Sequence, residues 1–350
     1  MKNVKTLSVI ALLLANAAIV GTANAAAAYP VVRPEQANTD RAVTELLHAL
    51  NSSKGPAINT LSPEKARQVL IDAQNSVKVD MSGIDVSTKT IEQDGISVPL
   101  TIVRPQGVSG TLPVFMFFHG GGWILGDYQT HARLVRDLVV QSGAVAVFVN
   151  YTPSPEARYP VAINQAYAAT QWVAAHGQEI GVDGNRLAVV GNSVGGNMAA
   201  VVSLMAKDKQ GPTIRFQGLM WPVTDSNFKD GSYSRYPNGY FLSRDMMKWF
   251  WDAYTKDPVQ RKQRYASPLQ ASSAALQGLP PALIQVAQYD VLRDEGEAYG
   301  HKLEAAGNDA TTVRYDGTIH DFGLLNFLAN DPTTKTAIAQ MAAQLKARLQ

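Results

Sequence analysis

The stretch that most limits what this chain can become is Val189-Val190-Gly191-Asn192-Ser193-Val194-Gly195-Gly196-Asn197. Apolar Leu187 to Val190 reads as a short buried strand, and the small-residue run Met198 to Ala206 reads as a helix. Between them lies Gly-x-Ser-x-Gly, a motif in which the serine occupies a sharp strand-to-helix turn. A side chain on Gly191 or Gly195 would collide with the neighbouring strand or helix. The turn pushes the Oγ of Ser193 clear of the sheet and aims backbone N–H groups at the space beside it, where a helix N-terminus favours negative charge. Taken alone, the same residues also describe a glycine-rich turn with a surface serine.

The start of the chain has the layout of a secretory signal. Lys2 and Lys5 precede a mostly apolar run from Leu7 to Val20, and Ala23-Asn24-Ala25 forms a small-residue cleavage site. That run is shorter than the roughly 20 residues a membrane span requires, and no later stretch approaches that length. The expectation is an exported protein, periplasmic or secreted, with residues 1–25 removed and no stable membrane insertion afterwards. Charge is close to balanced, with 31 basic and 29 acidic residues, and Lys2 and Lys5 account for the excess. Such a balance offers no electrostatic footprint for nucleic acid or an acidic membrane. With no cysteine in the chain, disulfides, a thiolate nucleophile and cysteine metal sites are excluded.

The rest of the 350 residues suits one large α/β domain with a small cap. Residues 26–80 are expected to form an N-terminal helical cap region, with helical spacing over Asp40 to Leu50 and Pro63 to Gln74 and with Asp40 and Ser62 as N-caps. The bland reading of this region is a loosely docked arm. Residues 81–350 are expected to form the catalytic domain. It opens with a hairpin, Val86 to Ile91 and Val98 to Val103, around Asp94-Gly95. Val114 to Phe118 reads as a central buried strand. Helices (His131 to Gln141, Pro160 to His176, Thr334 to Leu349) alternate with strands (Ala144 to Val149, Ile214 to Met220, Ala282 to Ala287, Thr311 to Arg314). That alternation predicts a mostly parallel central sheet with helices on both faces.

Directly after the central strand comes His119-Gly120-Gly121-Gly122-Trp123. Consecutive glycines let the backbone approach a ligand with its N–H groups unobstructed, as in the loop that supplies part of an esterase oxyanion hole. The expected donors are the N–H groups of Gly121, Gly122 and Val194, with His119, Gly120, Gly191 and Gly195 in support. A dinucleotide or phosphate-loop reading fails, because neither G-x-G-x-x-G nor G-x-x-x-x-G-K-[ST] occurs.

A serine nucleophile needs a base. Of the histidines, His119 belongs to the glycine loop, His48 to the expected cap, and His131, His176 and His301 to helical stretches where each reads as solvated or partly packed. His320 follows the Thr311 strand and Asp316-Gly317, on a loop where a base belongs. The orienting acid should lie between serine and histidine in the chain. Asp290 closes the Ala282 strand and is the candidate; Asp294 and Glu295 open the following helix, where acids favour the dipole.

These stretches, with Tyr151-Thr152-Pro153-Ser154-Pro155-Glu156, Asp290-Val291-Leu292-Arg293-Asp294-Glu295 and His320-Asp321-Phe322, occur in the order found in the bacterial hormone-sensitive-lipase-like (family IV) esterases, which the chain resembles. The resemblance implies an α/β-hydrolase fold, a Ser193–Asp290–His320 triad, the oxyanion loop above, and a cap built partly from the N-terminal helices. It implies a serine carboxylesterase for short- to medium-chain acyl esters, needing no metal or organic cofactor. That family often has Asp-Ser-Ala-Gly-Gly at the serine turn; here Asn192 removes a charge beside the nucleophile and Val194 still offers its N–H. Lipase, amidase or acyltransferase chemistry uses the same machinery, and a non-catalytic small-molecule binder is the reading from another class. Phe241 to Tyr254, with Trp249-Phe250-Trp251, reads equally as pocket lining or as a core helix.

Overall fold

The computed structural model describes residues 30–350. The secretory signal expected at 1–25 lies outside them. Alternation along the apolar strands sets the layers. In β3 (Leu112–Phe118) Val114, Met116 and Phe118 belong to one core, while Phe115 and Phe117 belong to the other. A strand buried on both faces must be apolar at every position, and this one is.

The flanking strands are β1 (Ile84–Gln93), β2 (Ile96–Pro105), β4 (Val145–Val149), β5 (Val182–Asn192), β6 (Phe216–Met220), β7 (Ala282–Tyr289) and β8 (Ala310–Ile319). Among the described residues they form one eight-stranded sheet ordered β1-β2-β4-β3-β5-β6-β7-β8. β1 and β2 are an antiparallel hairpin and β2 runs antiparallel to β4; every other pairing is parallel. The hairpin turns through Asp94 and Gly95 at φ 52° and 76°, the left-handed pair that a two-residue turn between twisted strands demands.

Helices α1 (Arg41–Ser52) and α2 (Pro63–Asn75) precede the sheet. Later come α3 (Tyr128–Ser142), α4 (Val161–His176), α5 (Val194–Asp208), α6 (Arg244–Tyr254), α7 (Arg293–Ala305) and α8 (Pro332–Leu349). Side chains of α4, α5 and α7 share the core of Val114 and Met116, whereas those of α3 and α8 share the core of Phe115 and Phe117. Val43, Leu46, Leu47 and Leu50 of α1 join the second core, and Ala66 and Leu70 of α2 join the first. No described helix is long and apolar enough to cross a membrane.

Several boundaries depart from the sequence expectations. α3 begins at Tyr128, ahead of His131, because Asp127 and Thr130 form a reciprocal capping box. α5 begins at Val194 rather than Met198, so the helix starts directly at the serine turn. Ser62 caps α2 through Lys65 N, but Asp40 makes no side-chain cap on α1; its own N–H donates to the carbonyl of Gly317 at 2.9 Å.

β8 departs most. It does not end near Arg314 but runs to Ile319. Ala287 pairs with Tyr315 and Tyr289 with Ile319, so Gln288 faces a bulge of Asp316, Gly317 and Thr318. Gly317 sits at φ 76° and donates its N–H to Gln288 Oε1 at 2.7 Å. A side chain there would be strained by φ and would press on Asp40. Gly317→Val is expected to lower the unfolding free energy by about 1–3 kcal/mol, read as an earlier midpoint in urea; an unchanged midpoint would show that the bulge tolerates another conformation.

Candidate active site

Parallel strands deliver their C-terminal ends to one edge of the sheet. His119 follows β3, Ser193 follows β5, Trp221 follows β6, Asp290 follows β7 and His320 follows β8. Ser193 has φ 56° and ψ −122°, a conformation that L-residues hold only under constraint. The constraint comes from both sides. Ser193 N–H donates to Met220 O at 2.9 Å, and its carbonyl accepts from Val223 N at 3.1 Å and Asn197 N at 3.1 Å. Only glycine fits at the flanks, since a Cβ on Gly191 would strike the carbonyl of Gly195, and one on Gly195 would strike the carbonyl of Phe118.

The residues singled out from the sequence converge here. Ser193 Oγ lies 3.0 Å from His320 Nε2, and His320 Nδ1 lies 2.6 Å from Asp290 Oδ2. Because a carboxylate only accepts, Nδ1 carries the proton toward Asp290 and Nε2 is left to accept from the serine hydroxyl. Asp290 is itself fixed, its Oδ1 accepting from Leu292 N at 2.9 Å. All three side chains are buried. Burial pushes the imidazole of His320 down, but the charges of Asp290 and then Asp321, with the hydrogen bond to Asp290, outweigh it and hold the pKa above the usual 6.5.

The glycine loop is held by its own carbonyls. Gly121 O accepts from Leu125 N at 2.7 Å and Ile124 N at 3.1 Å. Among the described residues the N–H groups of Gly121, Gly122 and Val194 are bonded to no other protein group. Gly121 and Gly122 line the same cavity as Ser193 and His320. His119 braces the loop from beneath, with Nδ1 2.9 Å from Gly120 O and its ring stacked on Tyr151 at 4.1 Å. Burial lowers its pKa to about 4, so it is neutral at physiological pH.

Sequence reasoning missed the partners of this loop. His131 is not solvated or partly packed: it is fully buried, and its Nε2 accepts from Gly120 N at 3.3 Å. Tyr151 Oη donates to His119 O at 3.0 Å. Arg67 of α2 donates to Ile124 O at 2.7 Å and Ser154 O at 3.0 Å while pairing with Glu156 at 2.7 Å, tying the N-terminal helices to the loop. The signal for Tyr151 and Glu156 was their place in the family stretch; nothing local marked His131 or Arg67. His48 and His301 are exposed, and half-exposed His176 pairs with Glu179, so none of the three belongs to the site.

The rival acids lie elsewhere. Asp294 pairs with Arg293 at 2.7 Å. Glu295 is buried and accepts from Thr224 N at 2.6 Å and Asp225 N at 3.2 Å, holding the chain that follows β6.

Ser193 opens into a cavity lined mostly by apolar side chains. Its apolar wall comes from three places: Ile58 and Leu70 of the N-terminal segment, Leu125 after the glycine loop, and Phe241, Leu242, Met246 and Phe250 around α6. The two readings of Phe241 to Tyr254 therefore divide by helix face. Met246 and Phe250 line the cavity, and Trp251 and Tyr254 pack against Trp123 in the core.

With this geometry in place, the chain can be set beside known proteins. Residues 115–324 match the α/β hydrolase fold family. A thermostable esterase from Pseudomonas putida ECU1011 superposes with a TM-score of 0.89 at 62% identity, covering 89% of this chain and 98% of that one. The carboxylesterase NlhH of Mycobacterium tuberculosis is 34% identical over 266 residues, 75% of this chain and 83% of its own. An ethyl acetate hydrolase of Pseudomonas putida is 34% identical over 241 residues, 68% of this chain and 74% of its own. The chain belongs to the α/β-hydrolase fold family, among its carboxylic ester hydrolases.

The buried Glu295 has a stability consequence. Burial, and then the charge of Asp230, raise its pKa well above the usual 4.5. The folded chain therefore keeps a proton that the unfolded chain loses above about pH 4.5, so stability present at acid pH declines as pH rises toward the folded pKa. Glu295→Gln keeps the acceptor oxygen and removes that titration. Its urea midpoint is expected to fall less than that of wild type between pH 5 and 8, and parallel curves would show that Glu295 does not titrate in this range.

Proposed function

We propose that the protein is a serine carboxylesterase that hydrolyses short- to medium-chain acyl esters through an acyl-enzyme. The observation that carries this is the run Ser193–His320–Asp290, opening into an apolar cavity beside the free N–H groups of the glycine loop. Ser193 is the nucleophile. As Oγ attacks the ester carbonyl carbon, its proton passes to His320 Nε2, and Asp290 holds the resulting imidazolium. The carbonyl oxygen becomes an oxyanion, stabilised by the N–H groups of Gly121, Gly122 and Val194 at the N-terminus of α5. Collapse breaks the bond to the alkoxy oxygen, which leaves as alcohol with the proton from His320. Water then gives a proton to His320, attacks the acyl-enzyme, and releases the acid as Ser193 recovers its proton.

The N-terminal segment and the chain around α6 act as the cap that shapes the cavity, since both supply its apolar wall. The ethyl acetate hydrolase among the relatives supports the short end of the range. We further read residues 1–25 as a secretory signal, so that the working enzyme is exported and begins at Ala26. N-terminal sequencing of protein recovered from periplasm or medium tests this, and an intact Met1 start would refute it.

The deciding assay is hydrolysis of p-nitrophenyl acetate, butyrate, octanoate and palmitate. Acetate and butyrate are expected to be the best substrates; a preference for palmitate would identify a lipase instead. Ser193→Ala is expected to lower kcat by about 10⁴-fold or more, and Asp290→Asn by about 10⁴-fold with folding intact. Full activity in Ser193→Ala would refute the mechanism. His320 works as a neutral base and its pKa is raised, so kcat/KM should fall with decreasing pH at a midpoint above 6.5.

A further inference from the structure

Beside the serine lies a second carboxylate that the mechanism above does not use. Asp321 follows His320 directly, holds φ 57°, and lines the cavity with Ser193. Its Oδ1 accepts from Asn192 Nδ2 at 2.9 Å and from Trp221 Nε1 at 2.7 Å. Its Oδ2 stands 3.7 Å from His320 Nε2. Asn192 is fully buried, and its own Oδ1 accepts from Gly120 N at 3.0 Å.

One amide thus bridges two loops with opposite demands. The N–H of Gly120, which it shares with His131 Nε2, meets its oxygen and the carboxylate of Asp321 meets its NH2, so a single asparagine orientation serves both. An acid at position 192 would set carboxylate against carboxylate. This gives a physical reason for the uncharged residue at the serine turn. The two hydrogen bonds donated to one oxygen of Asp321 suit an ionised acceptor and turn its other oxygen toward the histidine.

We propose that Asp321, oriented by Asn192 and Trp221, is a positioning residue: a second carboxylate that stabilises the imidazolium of His320 as it forms, while Asn192 locks the glycine loop, the serine turn and the histidine loop into one arrangement. The inference rests on the serine-esterase reading. During acyl transfer the imidazolium would lie between Asp290 on its Nδ1 side and Asp321 on its Nε2 side. Among the described residues the titratable groups facing His320 are these two acids, Asp290 from the end of β7 and Asp321 from its own loop. The glycine loop presents backbone, and the N-terminal segment and α6 present Leu70, Met246 and Phe250 toward the cavity.

The test is a charge exchange, read with p-nitrophenyl butyrate across pH 5 to 9 and with melting temperature for each protein. Asp321→Asn keeps an acceptor for Asn192 and Trp221 and removes the charge. Its kcat is expected to fall about tenfold with KM within about twofold, and the acid limb of kcat/KM to move down by about one pH unit. Asn192→Asp opposes two carboxylates and should lower kcat further. The double variant N192D/D321N leaves one carboxylate where N192D opposes two, so its kcat should recover about tenfold over N192D, while its acid limb stays below that of wild type because the charge has left the histidine loop. A folded D321N with wild-type kcat and wild-type limb would overturn the proposal. If D321N does not fold, the other two variants decide: a double variant no better than N192D would overturn it. Ser193→Ala separates the two levels, because an active Ser193→Ala refutes the serine mechanism, whereas an inactive one beside an unaffected D321N refutes only the role of Asp321.

Discussion

The structure depends on holding one serine in a backbone conformation that it would not adopt freely. At φ 56° and ψ −122°, Ser193 stores strain of about 1–3 kcal/mol, and the fold offsets it with many shared contacts. Leu187 to Asn192 of β5 and Val194 to Ala206 of α5 are buried around it, Met220 and Val223 bind its backbone, and glycines at 191 and 195 let strand and helix approach within van der Waals limits. The same turn aims Oγ off the sheet and starts α5 directly after the serine, so the Val194 N–H, which like every first helical N–H has no helical partner, follows the nucleophile. Position and polarity come from one feature.

Parallel topology supplies the rest. Strands hydrogen-bonded side by side deliver their last residues to neighbouring points, so Asp290 and His320 follow the paired residues Tyr289 and Ile319. The bulge at Gly317 makes that pairing possible, and the N-terminal segment touches it through Asp40. The N-terminal segment is thus connected to the site twice. It helps fix the histidine loop from one side, and through Arg67 it grips the chain after the glycine loop from the other.

Most of this was legible in the sequence for identifiable reasons. Fully apolar runs such as Val114 to Phe118 announce strands buried on both faces, and Gly-x-Ser-x-Gly admits few backbones. Boundaries were less legible where a cap or bulge decided them: Asp127 and Thr130 extended α3, and β8 outran its apolar pattern because Asp316 and Gly317 bulge out of the ladder instead of ending it. The family resemblance and the punctuation around Asp290 and His320 located those side chains without any knowledge of contacts. His131, Arg67, Asn192 and Asp321 were opaque as a network, because each acts through a partner distant in the chain.

By itself the sequence determined the residues that local geometry or composition forces: the strained serine turn, the glycine loop, the parallel α/β alternation, and the absence of any thiol chemistry. Only the tertiary structure decided which groups meet. Whether a histidine is a base, a neutral brace or a solvated side chain depends on the dielectric around it and on the charge a few ångströms away. His320 lies between two carboxylates and its pKa is raised, while His119 lies among buried rings and its pKa is lowered to about 4. Those surroundings are assembled from strand ends and loops far apart in the chain, and no local pattern encodes them.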